Sequence, residues 1–355
     1  LVLPKLETMR PSVLKKIEQL VADGAVILGP PPSRSPSMEN YPVADQEVNA
    51  LAKKMWGDLS VKQRSYGKGT IYTDVELKEV LDRSGVIPDC QFGENDPVLY
   101  VHRTAGDNEI YFITNQSDRT ITVSPQFRVQ GKVPELWDVV TGSIRPLPAF
   151  IQGKESTTVP LQLEAYESGF IVFRKTGKPA ATGVEDNYPK PEIITKIDQP
   201  WQVLFESDQY KRGPAQPVTF STLTDWSKHE DESIRYYSGT AIYKTTFDVK
   251  KKPEGKLFVD LGQVTAMAKI KINGKYVGGV WTAPYRIEVS DVIRDGINEL
   301  EVEVVNTWMN RLIGDLRLPE AERPTWAHHN SWNVHSPLQT SGLLGPVNLL
   351  SIKYK

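Results

Sequence analysis

Three kinds of side chain in this 355-residue sequence could carry chemistry: paired acids, histidines, and large flat rings set beside polar groups. Hydrolysis of a glycosidic bond needs only two carboxyl groups at the right separation. Glu230, Asp231, Glu232, Asp315, Glu320 and Glu322 are candidates. In a chain that is 24% charged, such acids are ordinarily solvated surface, and the spacing singles out no pair. The five histidines are His102, His229, His328, His329 and His335, and no G-x-S-x-G elbow accompanies any of them. A Ser-His-Asp triad is a geometry rather than a sequence order, so its absence as a motif does not exclude it. His328 and His329 are neighbours, which in a strand point to opposite faces. With His335 they could form part of a loop site for a metal, although polar loop residues are the plainer reading.

The aromatic residues give a stronger signal. Trp201, Trp226, Trp281, Trp308, Trp326 and Trp332 place six of the eight tryptophans in the last part of the chain, alongside Tyr236, Tyr237 and Tyr285. A sugar presents apolar C–H faces and equatorial hydroxyls, so a flat ring beside Arg, Asn or Asp suits a neutral glycan. Tryptophan also fills cores, and the sequence does not say which ring does which.

These residues must be held by elements that the periodicity predicts. Val13, Leu14, Ile17, Leu20 and Val21 predict a helix with Pro11 in its first turn and Gly24 past its end, followed by a buried strand, Ala25 to Leu28. Ala44, Val48, Leu51, Ala52 and Met55 predict a second helix. A third follows Thr73, which is spaced with Glu76 as a capping box. This rhythm implies a small parallel α/β sheet over residues 1–95, flavodoxin- or amidotransferase-like but truncated, since Leu1-Val2-Leu3 reads as the end of a strand whose beginning lies upstream. The loop "GPPPSRSPSMENYP" lacks phosphate-cradling glycines and reads as structural. Residues 96–175 switch to short β runs and predict an antiparallel β-sandwich. Residues 176–198, rich in Gly, Pro and charge, predict a linker. Residues 199–355 predict a two-sheet jelly roll, in which Asn273-Gly274 marks a tight hairpin with both residues at positive φ. The fold class expected is therefore multidomain α/β plus all-β.

Composition excludes several classes. With 42 basic and 44 acidic side chains there is no charge excess to attract nucleic acid, and no apolar run is long enough to span a membrane. The single cysteine, Cys90, can form no intrachain disulfide or CxxC knuckle.

"YSGTAIYKTTFDV", "DLGQVTAMAKIKINGKYVGGVWTAPYRIEVSDVI", "NELEVEVVNTWMNRLIGD" and "SGLLGPVNLL" together resemble the sugar-binding jelly roll of glycoside hydrolase family 2-like enzymes. They are most similar to the C-terminal region of family 106 α-L-rhamnosidases. "LETMRPSVLKKIEQLVADGAVILGPPPSRSPSMENYP" resembles the α/β domain that follows the catalytic barrel there, and "ELWDVVTGSIRPL" the small β domain between. In that family the acids belong to an N-terminal (β/α)₈ barrel and hydrolysis is calcium-assisted and inverting. The resemblance therefore implies no catalytic residue in this chain, no assigned metal ligand, and calcium as the only cofactor in prospect. It also implies a catalytic domain of the same protein as partner, a glycan that contains rhamnose, and a bacterial periplasmic or extracellular location. If the jelly roll binds sugar, the expected contributors are Trp281, Tyr285 and Arg286 after the hairpin; Trp308, Asn310, Arg311 and Asp315 in "NTWMNRLIGD"; and Trp326, His329, Trp332 and His335 in the loop Ala321 to Ser336. Arg311 and Asp315 are equally spaced to pin a loop as an ion pair. The alternatives are a self-contained glycosidase that uses two of its own carboxylates, and a non-enzymatic interaction module.

Overall fold

Leu14, Ile17 and Val21 recur on one helical face, and Pro11 sits where the missing donor costs nothing, so Pro11–Ala22 is a helix that buries those three residues. Gly24, at a φ of 125°, turns the chain into the strand Val26–Leu28. The computed structural model describes residues 1–177, 186–208, 210 and 212–354; residues 178–185 of the expected linker lie outside the described residues. A second helix, Val43–Trp56, buries Ala44, Val48, Ala52, Met55 and Trp56, and the Trp56 indole donates to the Gly29 carbonyl at 2.9 Å. Val2 bridges to Leu28 in parallel.

The small sheet is not wholly parallel. Val26–Leu28 pairs in parallel with Gly69–Tyr72, but Gln63–Tyr66 runs antiparallel to that strand around a tight turn with Gly67 at a φ of 58°. The capping box does not form either. Asp74 takes a left-handed φ of 54°, and the helix Leu77–Arg83 begins only after Glu76, whose side chain makes no capping bond. Leu1–Pro88 is one compact unit and Asp89–Lys355 another.

Within the second unit, the runs from Val98 onward form a five-stranded antiparallel sheet. Its order is Ile144–Pro146, Lys132–Trp137, Ser168–Thr176, Asn108–Asn115, Val98–Ala105. A smaller four-stranded sheet includes Cys90–Gln91 and Gln126–Phe127. Alternation along Asn108–Asn115 turns Tyr111 and Ile113 inward, where Tyr111, Phe127 and Phe173 meet edge-on or tilted in the core. After the undescribed residues, Asn187 is buried and its amide binds the Ala149 and Pro160 carbonyls. Arg145 donates to the Asn187 carbonyl and lies over both the Tyr188 and the Tyr354 rings, at 4.8 and 5.1 Å.

A small two-stranded sheet, Gln263–Thr265 with Gly342–Gly345, accompanies the two antiparallel sheets on which the jelly roll is mainly built. One has the order Val218–Phe220, Trp201–Phe205, Thr240–Val249, Gly296–Val305, Met267–Ile272, Lys275–Val280. The other has the order Glu192–Lys196, Asn348–Ile352, Lys256–Asp260, Arg286–Glu288, so part of the stretch expected to be linker is a sheet strand. Strict alternation in "TAIYKTTFDV" sends Ala241, Tyr243 and Phe247 to the core and Lys244 and Thr246 outward. Asn273 and Gly274 have φ values of 50° and 77°, as the tight hairpin requires.

One carboxyl in the small β-sandwich should make stability depend on pH. Burial, together with the nearby Glu164 and Asp138 carboxylates, pushes the Glu167 pKa from 4.5 up to about 7, even though the Glu164 backbone amide donates to it at 2.6 Å. Below the unfolded value both states hold the proton and the contribution is complete. As pH rises toward the folded value the unfolded chain releases its proton first, so stability falls, and the loss levels off above it. Glu167→Gln should therefore gain about 2 kcal/mol on the parent protein between acid and mildly alkaline pH, measured by urea denaturation at both ends of that window.

Candidate functional site

The helix Met309–Asp315 organises the polar residues of the motif "NTWMNRLIGD". Asn310, Arg311, Ile313, Gly314 and Asp315 are all buried, and a Cβ at Gly314 would lie 2.7 Å from Tyr236, so glycine is what permits this close seat. Arg311 and Asp315, one helical turn apart, form an ion pair with Nη2 to Oδ1 at 2.7 Å and only 5% and 2% exposure. Burial holds the Arg311 pKa below the ordinary guanidinium value, against the opposing pull of Asp315. The second carboxylate oxygen of Asp315 accepts a hydrogen bond from the Thr325 hydroxyl at 2.5 Å. Asn310 donates to the Gln339 carbonyl and the Ser341 hydroxyl and accepts from the Gln339 amide, at 2.7, 3.0 and 2.7 Å. All three side chains therefore act inside the fold. The sequence spacing shows the Arg311–Asp315 pair, but not the partners of Asn310.

Above this helix lies a cavity of about 590 Å³ lined by Asp208, Tyr210, Trp308, Leu312, Pro324, Thr325, Trp326 and Ala327. Three rings border it: Trp326 is 83% exposed, Tyr210 50% and Trp308 46%. Trp308 stands at the helix N-terminus. Trp326 sits on the irregular segment that follows the short turn Glu320–Glu322, with its ring against His328 at 6.2 Å. Asp208 accepts from the Tyr210 amide at 2.8 Å, which fixes the turn after the strand Trp201–Phe205. A mostly apolar hollow with exposed rings and a few polar atoms can stack on a flat apolar face and bind hydroxyls at its edge. Trp308 and Trp326 were expected from the sequence. Tyr210 and Asp208 were not, because they join the cleft from about a hundred residues away in sequence and carry no local signal.

The other expected residues stand elsewhere. Trp281 is exposed, but its neighbour Tyr285 packs against the jelly-roll core. Arg286 is engaged by Asp260, with Nη2 to Oδ2 at 2.6 Å and Nε to Oδ2 at 3.1 Å. Trp332, His329 and His335 are exposed and are not among the residues that line the cavity. Trp332 and His335 lie in a run of tight turns, where their amides bond to the side chains of Asn330 and Asn333.

Of the remaining candidates for acid chemistry, Asp231, His229 and His102 have structural contacts. Asp231 caps a short helix by accepting from the Ser233 amide and hydroxyl, which hold its pKa below the usual carboxylate range. His229 accepts from the Asp231 amide and stacks on Phe220. His102 lies flat on Tyr111 and contacts Glu109 at 2.7 Å. Glu320 and Glu322 are exposed. Among the described residues no three His, Cys, Asp or Glu side chains converge to hold a metal. Among the described residues no helix is long and apolar enough to cross a membrane.

The architecture is that of a multidomain, mostly β protein with a galactose-binding-like jelly roll. More particularly, two stretches of the chain are similar to glycoside hydrolase families. Residues 1–151 match the glycoside hydrolase family 106 model, described as alpha-L-rhamnosidase, and residues 223–343 match the glycosyl hydrolase 2 galactose-binding domain-like model. The structure of a rhamnosidase from Novosphingobium sp. PP1Y superimposes with a TM-score of 0.85 at 33% identity, covering 97% of this chain and 32% of that one. A protein of Formosa agariphila described as "Putative beta-glucuronidase" is 24% identical over 98% of this chain and 50% of its own length. The chain thus spans about a third of the one relative and half of the other.

Exposure separates the cleft rings from the core rings, and mutation should show it. Trp326→Ala should shift stability by less than about 1 kcal/mol, whereas Trp226→Ala, which empties a fully buried site, should cost about 3–5 kcal/mol in chemical denaturation.

Proposed function

We propose that this chain is an accessory region of an α-L-rhamnosidase-like glycoside hydrolase, one that supports a catalytic domain and holds carbohydrate in the cleft bordered by Tyr210, Trp308 and Trp326. The three exposed rings around one hollow, on a fold whose relatives are named for galactose binding, carry this reading. The rings would stack on the C–H faces of a pyranose, with the polar edge of the cleft beside its hydroxyls. Bond cleavage would fall to a separate catalytic domain, because the acids that sequence suggests here serve as a helix cap, a buried ion pair or exposed surface. A glycan containing rhamnose and a site of action outside the cytoplasm follow from the same kinship.

Two measurements test this. Incubated with an aryl α-L-rhamnoside, the purified chain should show no turnover above background; turnover abolished by changing one of its own acids would establish the self-contained glycosidase instead. Calorimetry with L-rhamnose, D-galactose and rhamnose-rich oligosaccharides should show binding that Trp308→Ala weakens at least about tenfold, as loss of a stacking ring requires. Neither turnover nor binding would leave an interaction module.

A further inference from the structure

The cleft has one wall on the helix Met309–Asp315 and another on an irregular segment, and the buried Asp315 carboxyl group connects them beside the cleft. Upstream in that segment, Arg317 donates to the Tyr236 hydroxyl at 2.9 Å and Arg323 donates to the Leu318 carbonyl at 3.1 Å. Downstream, Gln339 is gripped by Asn310. Between these anchors the Thr325 hydroxyl donates to Asp315, whose other oxygen is held by Arg311. The carboxylate is 2% exposed and the guanidinium 5%, so the acceptor cannot swing to follow the loop. A hydroxyl bound to a buried carboxyl group that is itself paired with a guanidinium makes a strong and directional link. The next residue is Trp326, the most exposed ring of the cleft.

We propose that Thr325 is a positioning residue: its hydroxyl, clamped by the Arg311–Asp315 pair, sets the pose of Trp326 and through it the affinity of the cleft for a sugar ring, an inference that rests on the cleft being a carbohydrate site. The motif's buried pair then serves binding without touching ligand. Trp326 needs such a device because it gains little from burial of its own. A ring pinned in advance forfeits less freedom when a sugar stacks on it.

The test reads the ring and the affinity separately. The full chain is labelled with 5-fluorotryptophan, and Trp326→Phe identifies the Trp326 fluorine resonance. Thr325→Val, which keeps the side chain's shape and removes its hydroxyl, should shift or broaden that resonance while leaving those of Trp201 and Trp226 in place, and Thr325→Ser should restore it. Affinity for L-rhamnose and D-galactose should fall about five- to tenfold in Thr325→Val and recover in Thr325→Ser. In a Trp326→Ala background Thr325→Val should add nothing. Should Thr325→Val fail to fold, Asp315→Asn, which keeps an acceptor for Thr325 but removes its charge, should displace the same resonance more mildly. An unmoved Trp326 resonance would overturn the proposal, as would a moved resonance with unchanged affinity. A moved resonance in a protein that binds neither sugar would support the positioning role and defeat the carbohydrate reading of the cleft.

Discussion

Trp226 and Tyr243 form the joint on which the jelly roll and its cleft depend. The indole donates to the phenol oxygen at 2.6 Å, the rings lie nearly parallel, and the Leu343 amide donates to the same oxygen at 3.3 Å. The chain on either side is tied in as well: the Trp226 amide donates to the Ser341 carbonyl, and the Ser341 amide to the Asp225 carboxylate. Gly342 sits against the indole at a φ of 100°, and any Cβ there would come within 2.6 Å of Nε1. Burying two polar rings is tolerable only because each satisfies the other. The return of the chain at residues 341–343 is thereby fixed to a particular point of the core.

That fixed point reaches the surface through a short series of contacts. Ser341 meets Asn310, Asn310 holds Gln339, and the helix that carries Asn310 also carries Asp315, to which Thr325 is bound. The long segment between residues 316 and 341 is irregular, yet both its ends and one interior point are bonded to the same seven-residue helix. Backbone irregularity and positional order therefore coexist, because order is supplied by buried polar groups instead of by a ladder of main-chain hydrogen bonds.

Much of the fold could be read from the sequence where the pattern is local. The Asn-Gly hairpin, the alternation in "TAIYKTTFDV" and the helical face of Leu14, Ile17 and Val21 each follow from residue type and period alone. The strand Gln63–Tyr66 was missed because its side chains alternate between exposed and half-buried, leaving no apolar face to detect, although Gly67 marked its turn. The site was less legible. Trp201 and Trp226 are core and Trp308 and Trp326 are surface, but nothing within a few residues of any of them differs enough to tell. Arg286 is paired by Asp260 from another strand, and Tyr210 comes to line the same cavity as Trp308 only through the fold. Exposure and pairing of this kind are properties of distant contacts.

The contact of Arg145 with the rings of both Tyr188 and Tyr354 bears on how this polypeptide can be divided. The segment that matches the galactose-binding-like family stops at residue 343, but the strand Asn348–Ile352 lies between two partners in its sheet, and the tyrosine just beyond it covers an arginine of the small β-sandwich. A module excised at the boundaries of that match would lose both Glu192–Lys196 and Asn348–Ile352 and keep only half the strands of its smaller sheet. Borders drawn from sequence kinship and borders drawn from cohesion differ here, and a transplantable unit would have to keep both the returning strand and the arginine that its neighbour caps.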